Sequence, residues 1–243
     1  MATYFISGVR TGIGLEYVRQ LSLLESTTVI GTVRSLSDNA SLEALHAVVK
    51  RPEVKAQVHL VECDLSSTES ISSIASRLPA GLQGKIDIVI QNAAILQPIC
   101  HQESSLNVTA KSLVDHFTTN AIGPALLLQS LLPYLAPNAK IANITSGVGS
   151  KAMLSDGRIP ASITAYSISK AALNMLTVHQ AQDLKDKATV VCIDPGHVKT
   201  EMGGPNAKVE IADSARGVLK VIGELTKEHN GRFLLYNGSG IEW

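Results

Sequence analysis

Seven short, largely apolar runs recur along the chain, with stretches of good helix formers between them. The runs are Thr3 to Ser7, Thr28 to Val33, Gln57 to Glu62, Ile86 to Gln91, Lys140 to Thr145, Thr189 to Ile193 and Phe233 to Tyr236. Most are continuous rather than alternating, the pattern of strands covered on both faces. The stretches Ile13 to Leu24, Leu42 to Lys50, Ser67 to Arg77, Ala110 to Leu135, Ala165 to Leu184 and Asp213 to Lys227 predict helices. Strand–helix alternation of this kind implies an α/β fold: a doubly wound parallel sheet of about seven strands, helices on both faces and right-handed crossovers. No linker, internal repeat or low-complexity tract interrupts the pattern, so residues 1–243 read as a single domain. The irregular stretches Gly147 to Pro160 and Gly196 to Ala212 follow strand C-termini, where ligands bind in open α/β sheets.

Composition narrows the function classes. Hydrophobic residues make up 45% and charged residues 17% of the 243, and the formal net charge is zero. That balance speaks against a nucleic-acid surface or an anionic membrane as partner. No apolar run reaches the ~18 residues of a membrane span. The N-terminal Met1 to Ser7 lacks a basic start and a long apolar core, so a cytoplasmic protein is expected. Cys63, Cys100 and Cys192 are odd in number and far apart, which fits a reducing compartment rather than a disulfide framework. The glycosylation patterns at Asn107, Asn143 and Asn237 carry little weight without a secretory signal. The seven histidines show no zinc-ligand spacing with a nearby cysteine, so no metal is expected.

The first run leads into Ser7-Gly8-Val9-Arg10-Thr11-Gly12-Ile13-Gly14. Gly8 permits a tight turn, Gly12 lets backbone approach a phosphate, and Gly14 allows close helix–strand packing. The helix that begins there would point free N–H groups at a pyrophosphate, which favours a Rossmann-type nucleotide site over an ordinary glycine-rich βα turn. The second run ends at Arg34, where an acidic residue would hold the ribose diol of NAD. An arginine there, with Arg10 inside the loop, instead suits a 2′-phosphate, so NADP(H) is the expected cofactor. Asp64 could accept from an adenine amino group or cap the next helix, and the two readings coexist. Asn92 ends the fourth run, where its amide can tie neighbouring strands while Ala93 leaves room for a ribose.

Tyr166 and Lys170 lie four residues apart in a helix-forming stretch, hence one turn apart on one face. A phenol is a poor proton donor at neutral pH, and an ammonium beside it would lower its pKa toward the working range.

The ordered set of Gly8/Gly12/Gly14, Asn92-Ala93, Ser146, Tyr166-x-x-x-Lys170 and Pro195-Gly196-x-Val198-x-Thr200 resembles the short-chain dehydrogenase/reductase family over essentially the whole chain. The closing Phe233 to Gly238 and Trp243 are similar to the sniffer-like carbonyl reductases, the fungal norsolorinic-acid-ketoreductase-like members especially. The resemblance implies that Ser146 hydrogen-bonds the substrate carbonyl and Tyr166 delivers the proton. Lys170 would tune the tyrosine and hold the nicotinamide ribose. Asn120 would bend its helix and position a water in a relay to Lys170. Val198 would bind the carboxamide through its backbone and Thr200 a cofactor phosphate, with Ile13, Leu65, Pro195 and Gly196 completing the cofactor site. Hydride addition builds charge on the carbonyl oxygen, and two hydroxyl donors there would stabilise it.

Two features depart from the family pattern. Ala94 stands where glycine is usual, and the segment from Ser146 to Tyr166 is long, with Met153, Leu154, Arg158 and Ile159 in it. That segment should wall the substrate pocket with Leu96, Met202 and the stretch around Gly203 to Pro205. His197 could touch cofactor or substrate, or face solvent. The expected activity is reduction of a ketone or aldehyde by NADPH, possible substrates being aromatic or polyketide intermediates of secondary metabolism. Related enzymes pair through long helices, so a homodimer or homotetramer is expected through Ala110–Leu135 and Ala165–Leu184. An NAD-linked alcohol dehydrogenase and a non-catalytic nucleotide sensor on the same fold are the alternatives.

Overall fold

The computed structural model describes residues 2–243. Strands β1 (Ala2–Ile6), β2 (Thr27–Val33), β3 (Gln57–Glu62), β4 (Ile86–Gln91), β5 (Leu135–Ile144), β6 (Ala188–Asp194) and β7 (Phe233–Leu235) form one sheet in the order β3-β2-β1-β4-β5-β6-β7. Every pairing is parallel. The order reverses between β1 and β4, which opens a crevice at the C-terminal strand ends.

The continuous apolar runs are explained by a core on each face. Along β1, Ile6 enters one core with Val29, Val33, Ile90, Ile144 and Ile193, covered by α1 (Gly12–Leu21), α2 (Glu43–Val49) and α8 (Ile211–Glu224). Its neighbour Phe5 enters the other with Ile30, Val89, Ile141 and Val190, covered by α3 (Thr68–Ser72), α5 (Gly123–Leu131) and the C-terminal part of α7 (Thr164–Asp183). Period-two alternation sends successive residues to opposite faces, and both faces here are dry.

The expected helix from Ala110 to Leu135 is divided. It comprises α4 (Ala110–Phe117), a π-helical turn at Thr118–Ile122, α5 and a 3₁₀ turn at Leu132–Tyr134, with Leu135 already in β5. Pro124 explains the break, since it has no N–H to give Asn120 four residues earlier. The Gly123 N–H bonds Thr118 O instead, one residue further back than in an α-helix. The expected helix from Ser67 to Arg77 is likewise only α3 plus a 3₁₀ turn at Ile74–Arg77. Part of the irregular stretch after Ser146 is helical, as α6 (Lys151–Ser155).

Apolar packing alone would let α7 slide over the sheet, and buried amides fix it. Asn143 on β5 donates through Nδ2 to Thr177 Oγ1 at 2.8 Å and Gln180 Oε1 at 2.9 Å, and its Oδ1 accepts from Gln91 Nε2 at 3.0 Å. Asn143 has no exposed surface, so its glycosylation pattern lies inside the molecule.

The β1–α1 turn is as tight as the glycine spacing requires. Gly8 has φ 74° and Gly12 φ 59°, both in the left-handed region. A Cβ on Gly14 would stand 2.1 Å from Gly8 O and 2.7 Å from Asn92 Nδ2. Gly14→Ala must therefore push α1 off the end of β1, at a cost of about 1–3 kcal/mol. Urea unfolding should show a clearly lower midpoint for this variant; an unchanged midpoint would contradict the close packing.

Candidate active site

The residues singled out in the sequence gather at the C-terminal edge of the sheet, around the switch point. Gly8 N–H donates to Thr32 O and Thr32 Oγ1, both at 3.1 Å, which places the glycine loop against the end of β2. Asn92 Nδ2 donates to Ser7 O at 3.2 Å and Gly8 O at 3.1 Å, bracing β4 against β1 as its position predicted. Ser7 returns the tie: its hydroxyl accepts from Asn92 N–H at 3.0 Å and Ala93 N–H at 3.1 Å. Sequence reading missed Ser7, because a serine ending a strand is common.

The site has the features a dinucleotide needs. Thr11 makes no side-chain cap on α1, so the first amides of that helix keep their donors for a ligand. Arg34 is exposed at the end of β2 and Arg10 half-buried in the loop, and among the described residues neither has an ion-pair or hydrogen-bond partner. The carboxylate near them, Glu62 on β3, accepts from Leu36 N–H at 3.0 Å. Asp64 Oδ1 accepts from Ser66 N–H at 2.9 Å and Ser66 Oγ at 2.7 Å. The cap of α3 is Ser67, so the capping reading of Asp64 is set aside. Leu65 is buried beside it and closes on Gly123, whose Cβ would meet Leu65 O at 2.6 Å. Ile13 is half-buried in the first turn of α1.

On the other side of the crevice, Pro195, Gly196, Val198 and Thr200 lie in the segment after β6. Gly196 has φ 83°, and a Cβ there would press on Tyr236 at 3.0 Å. Val198 is buried and bridges Val209. Thr200 Oγ1 accepts from Gly203 N–H at 3.1 Å, and its Cγ2 would lie 3.5 Å from a Cβ on Gly12, so this segment reaches the glycine loop. His197 is exposed and its Nε2 pairs with Gly203 O at 2.7 Å, a loop contact.

The turn after β5, which carries Ser146, presses on α7 at Lys170. A Cβ on Gly149 would lie 2.8 Å from Lys170 C, and Asn174 Nδ2 donates to Gly149 O at 3.2 Å. Lys170 is buried, and its ammonium donates to Ile144 O at 2.8 Å and lies 5.6 Å from the centre of the Tyr166 ring. Burial holds its pKa down to about 8. The expectation that Lys170 lowers the tyrosine pKa is corrected for the protein alone. Burial pushes the Tyr166 phenol well up, and the Asp194 charge adds to the rise. The ammonium faces the ring and a carbonyl, so its field does not offset the lost hydration.

The expected bend at Asn120 is the π turn. Its side chain is held by protein: Oδ1 accepts from Ile95 N–H at 2.8 Å, while Nδ2 donates to Ile95 O at 2.9 Å and Ser169 Oγ at 3.0 Å. Ser169 Oγ in turn donates to Tyr166 O at 2.7 Å. Ser169 carries no motif signal, and neither does the fully buried His116, whose ring stands edge-on to Tyr166 with centres 6.4 Å apart. Just before α7, Ile163 is held at φ 49°, a costly conformation for a β-branched residue. Met153 and Ile159 come within 3.4 Å and 3.1 Å of where a Cβ on Gly147 would be, so the long segment does wall the space beside Ser146. Among the described residues no group of three His, Cys, Asp or Glu could hold a metal, and no helix is long and apolar enough to cross a membrane.

Comparison with known proteins agrees with this geometry. Residues 2–210 match the family described as short chain dehydrogenase. The chain is 34% identical over 253 residues to the short-chain dehydrogenase srdF of Neurospora crassa, covering 98% of this chain and 96% of that protein. Among solved structures, the carbonyl reductase Sniffer of D. melanogaster superposes with TM-score 0.84 at 27% identity, over 100% of both chains. The NADPH-bound carbonyl reductase from chicken fatty liver gives 0.85 at 30%, over 100% of this chain and 99% of that one. The chain belongs to the short-chain dehydrogenase family and is an oxidoreductase.

The buried ammonium gives a pH test of the site. The ordinary lysine value of 10.5 falls to about 8 in the folded chain. Between those values unfolding takes up a proton at Lys170, so this group makes stability rise with pH across that window and stay flat below it. Relative to Lys170→Met, the wild-type protein should therefore gain stability between pH 8 and 10.5, read from urea unfolding at a series of pH values.

Proposed function

We propose that the protein is an NADPH-dependent reductase of a ketone or aldehyde. The observation that carries the reading is the pairing of Tyr166 and Lys170 on one face of α7, beneath the turn that holds Ser146 and beside a nucleotide crevice with two unpaired arginines. Bound NADPH would supply a hydride to the carbonyl carbon. Arg34 and Arg10 would hold the 2′-phosphate, and the glycine loop and uncapped α1 the pyrophosphate. Asp64 and Leu65 would border the adenine, Asn92 and Ala93 a ribose, and Pro195, Gly196, Val198 and Thr200 the nicotinamide half. The NADPH-bound chicken enzyme supports the choice of cofactor.

Ser146 and the Tyr166 hydroxyl would donate to the carbonyl oxygen and stabilise its growing charge. Tyr166 then gives up its proton. In the protein alone burial holds its pKa up, and the Lys170 cation is the group that would ease the loss of that proton. Lys170 would hold the nicotinamide ribose and, as a cation, stabilise the phenolate left behind. Asn120 supports this arrangement through Ile95 and Ser169, and its place at the π turn is where a relay toward Lys170 would pass.

Met153 and Ile159 beside Ser146 favour an uncharged, apolar substrate, such as an aromatic or polyketide intermediate of secondary metabolism. Val114, Phe117, Ile168 and Met175 on α4 and α7 are exposed and apolar, which supports a homodimer or homotetramer through these helices. A cytoplasmic location fits three cysteines that are all unpaired. The unpaired Arg34 counts against NAD, and the intact Ser146, Tyr166 and Lys170 count against a purely sensing protein.

Tyr166→Phe should bind NADPH as the wild type does, followed by nicotinamide fluorescence, and lose at least a hundredfold in kcat. Unchanged turnover would refute the assignment. Arg34→Ala should raise the KM for NADPH about tenfold or more and leave that for NADH nearly unchanged. Equal effects on the two cofactors would point to the NAD-linked alternative.

A further inference from the structure

Asp194 ends β6, just before Pro195, and no motif accounts for it. Its carboxylate is shared by two turns. Oδ2 accepts from Gly147 N–H at 2.7 Å and Oδ1 from Gly196 N–H at 2.7 Å. Gly147 follows Ser146, and Gly196 opens the segment that carries Val198 and Thr200. One carboxyl group thus spans the C-terminal ends of the adjacent strands β5 and β6 with two accepted bonds. The approach is close, for a Cβ on Gly147 would stand 3.0 Å from Oδ2.

The groups around this carboxylate are those of the proposed reaction. Burial pushes its own pKa up, while the Gly196 and Gly147 amides and the charges of Lys170 on α7 and His197 on the next loop pull it down. Its charge adds to burial in raising the Tyr166 phenol, and it opposes burial at Lys170. Two further titratable groups face the pair: His116 edge-on to Tyr166 from α4, and Cys192 on β6, which burial raises to about 12 and so keeps protonated.

We propose that Asp194 is a positioning residue that locks the Ser146 turn to the Pro195–Thr200 segment. The proposal rests on the reductase reading above. The carboxyl group's two accepted bonds hold the two donor-bearing segments at one spacing.

The test compares wild type, Asp194→Asn and Asp194→Glu as full chains. In Asp194→Asn the amide has one acceptor oxygen, and its NH₂ would face the second N–H, so the lock opens. In Asp194→Glu both acceptor oxygens stay. Carbonyl reduction is followed by NADPH consumption, using the fastest substrate from a panel of aromatic ketones, quinones and aldehydes. The kcat should fall about tenfold or more in Asp194→Asn, with the KM for NADPH changed less than about threefold, and recover in part in Asp194→Glu. Hydrogen exchange of the amides at 147 and 196 should quicken at least tenfold in Asp194→Asn, with no cofactor or substrate present. An unchanged kcat overturns the positioning role, and unchanged exchange overturns the lock. Should circular dichroism show Asp194→Asn unfolded, Asp194→Ser is read the same way. A wild type inactive on the whole panel would instead defeat the reductase reading, and the exchange result would still decide the lock.

Discussion

The amide of Asn143 is what the site hangs on. A helix packed on a sheet by apolar contacts has shallow preferences for slide and rotation, because dispersion and burial have no direction. Two donated bonds from one buried amide, to Thr177 and Gln180 one turn apart, have direction and fix both. Gln91 anchors that amide from the next strand, so the position of α7 is referred to the middle of the sheet. Tyr166 and Lys170 stand two to three turns further up the same helix. Small errors at Asn143 would grow along that lever, which is why a dry polar ladder is worth its desolvation cost here.

Much of this was legible in the chain. Apolar runs such as Ile86 to Gln91 marked strands covered on both faces, and the turn glycines marked where the sheet would open. Asn92 was read as a strand tie and is one. What escaped the sequence were long-range partnerships between unremarkable residues. Ser7 meets Asn92, Asn143 meets Thr177, and Asp194 meets Gly147, across 85, 34 and 47 residues. Nothing local sets such pairs apart from ordinary polar residues. The helix from Ala110 to Leu135 was misjudged for a related reason. Its composition is helical throughout, and only the link between Pro124 and the carbonyl one turn back shows that it cannot be one piece.

The pKa directions at the site reverse the simplest picture of a lysine tuning a tyrosine. In the protein alone both groups are pushed toward their neutral forms, the lysine down to about 8 and the phenol well up. Burial exceeds the mutual interaction of the pair because the ammonium is turned to Ile144 O and the ring face. In the protein alone the phenol therefore keeps its proton. Asp194 leans the same way, while Ser146, at the mouth of the turn it fixes, would share the carbonyl oxygen.

The π turn at Thr118–Ile122 also acts as a phase shift in the chain. One extra residue in a helix rotates everything after it by about 100° relative to everything before it. With the extra residue present, α4 can pack on α7 while α5 turns Leu127, Leu128 and Leu131 into the sheet core. Deleting a single residue there would leave a smoother helix and a worse protein, with one of the two apolar faces swung toward solvent. Insertions and deletions are usually absorbed by loops. Here the frame of a helix interior is fixed by what packs on it from both sides.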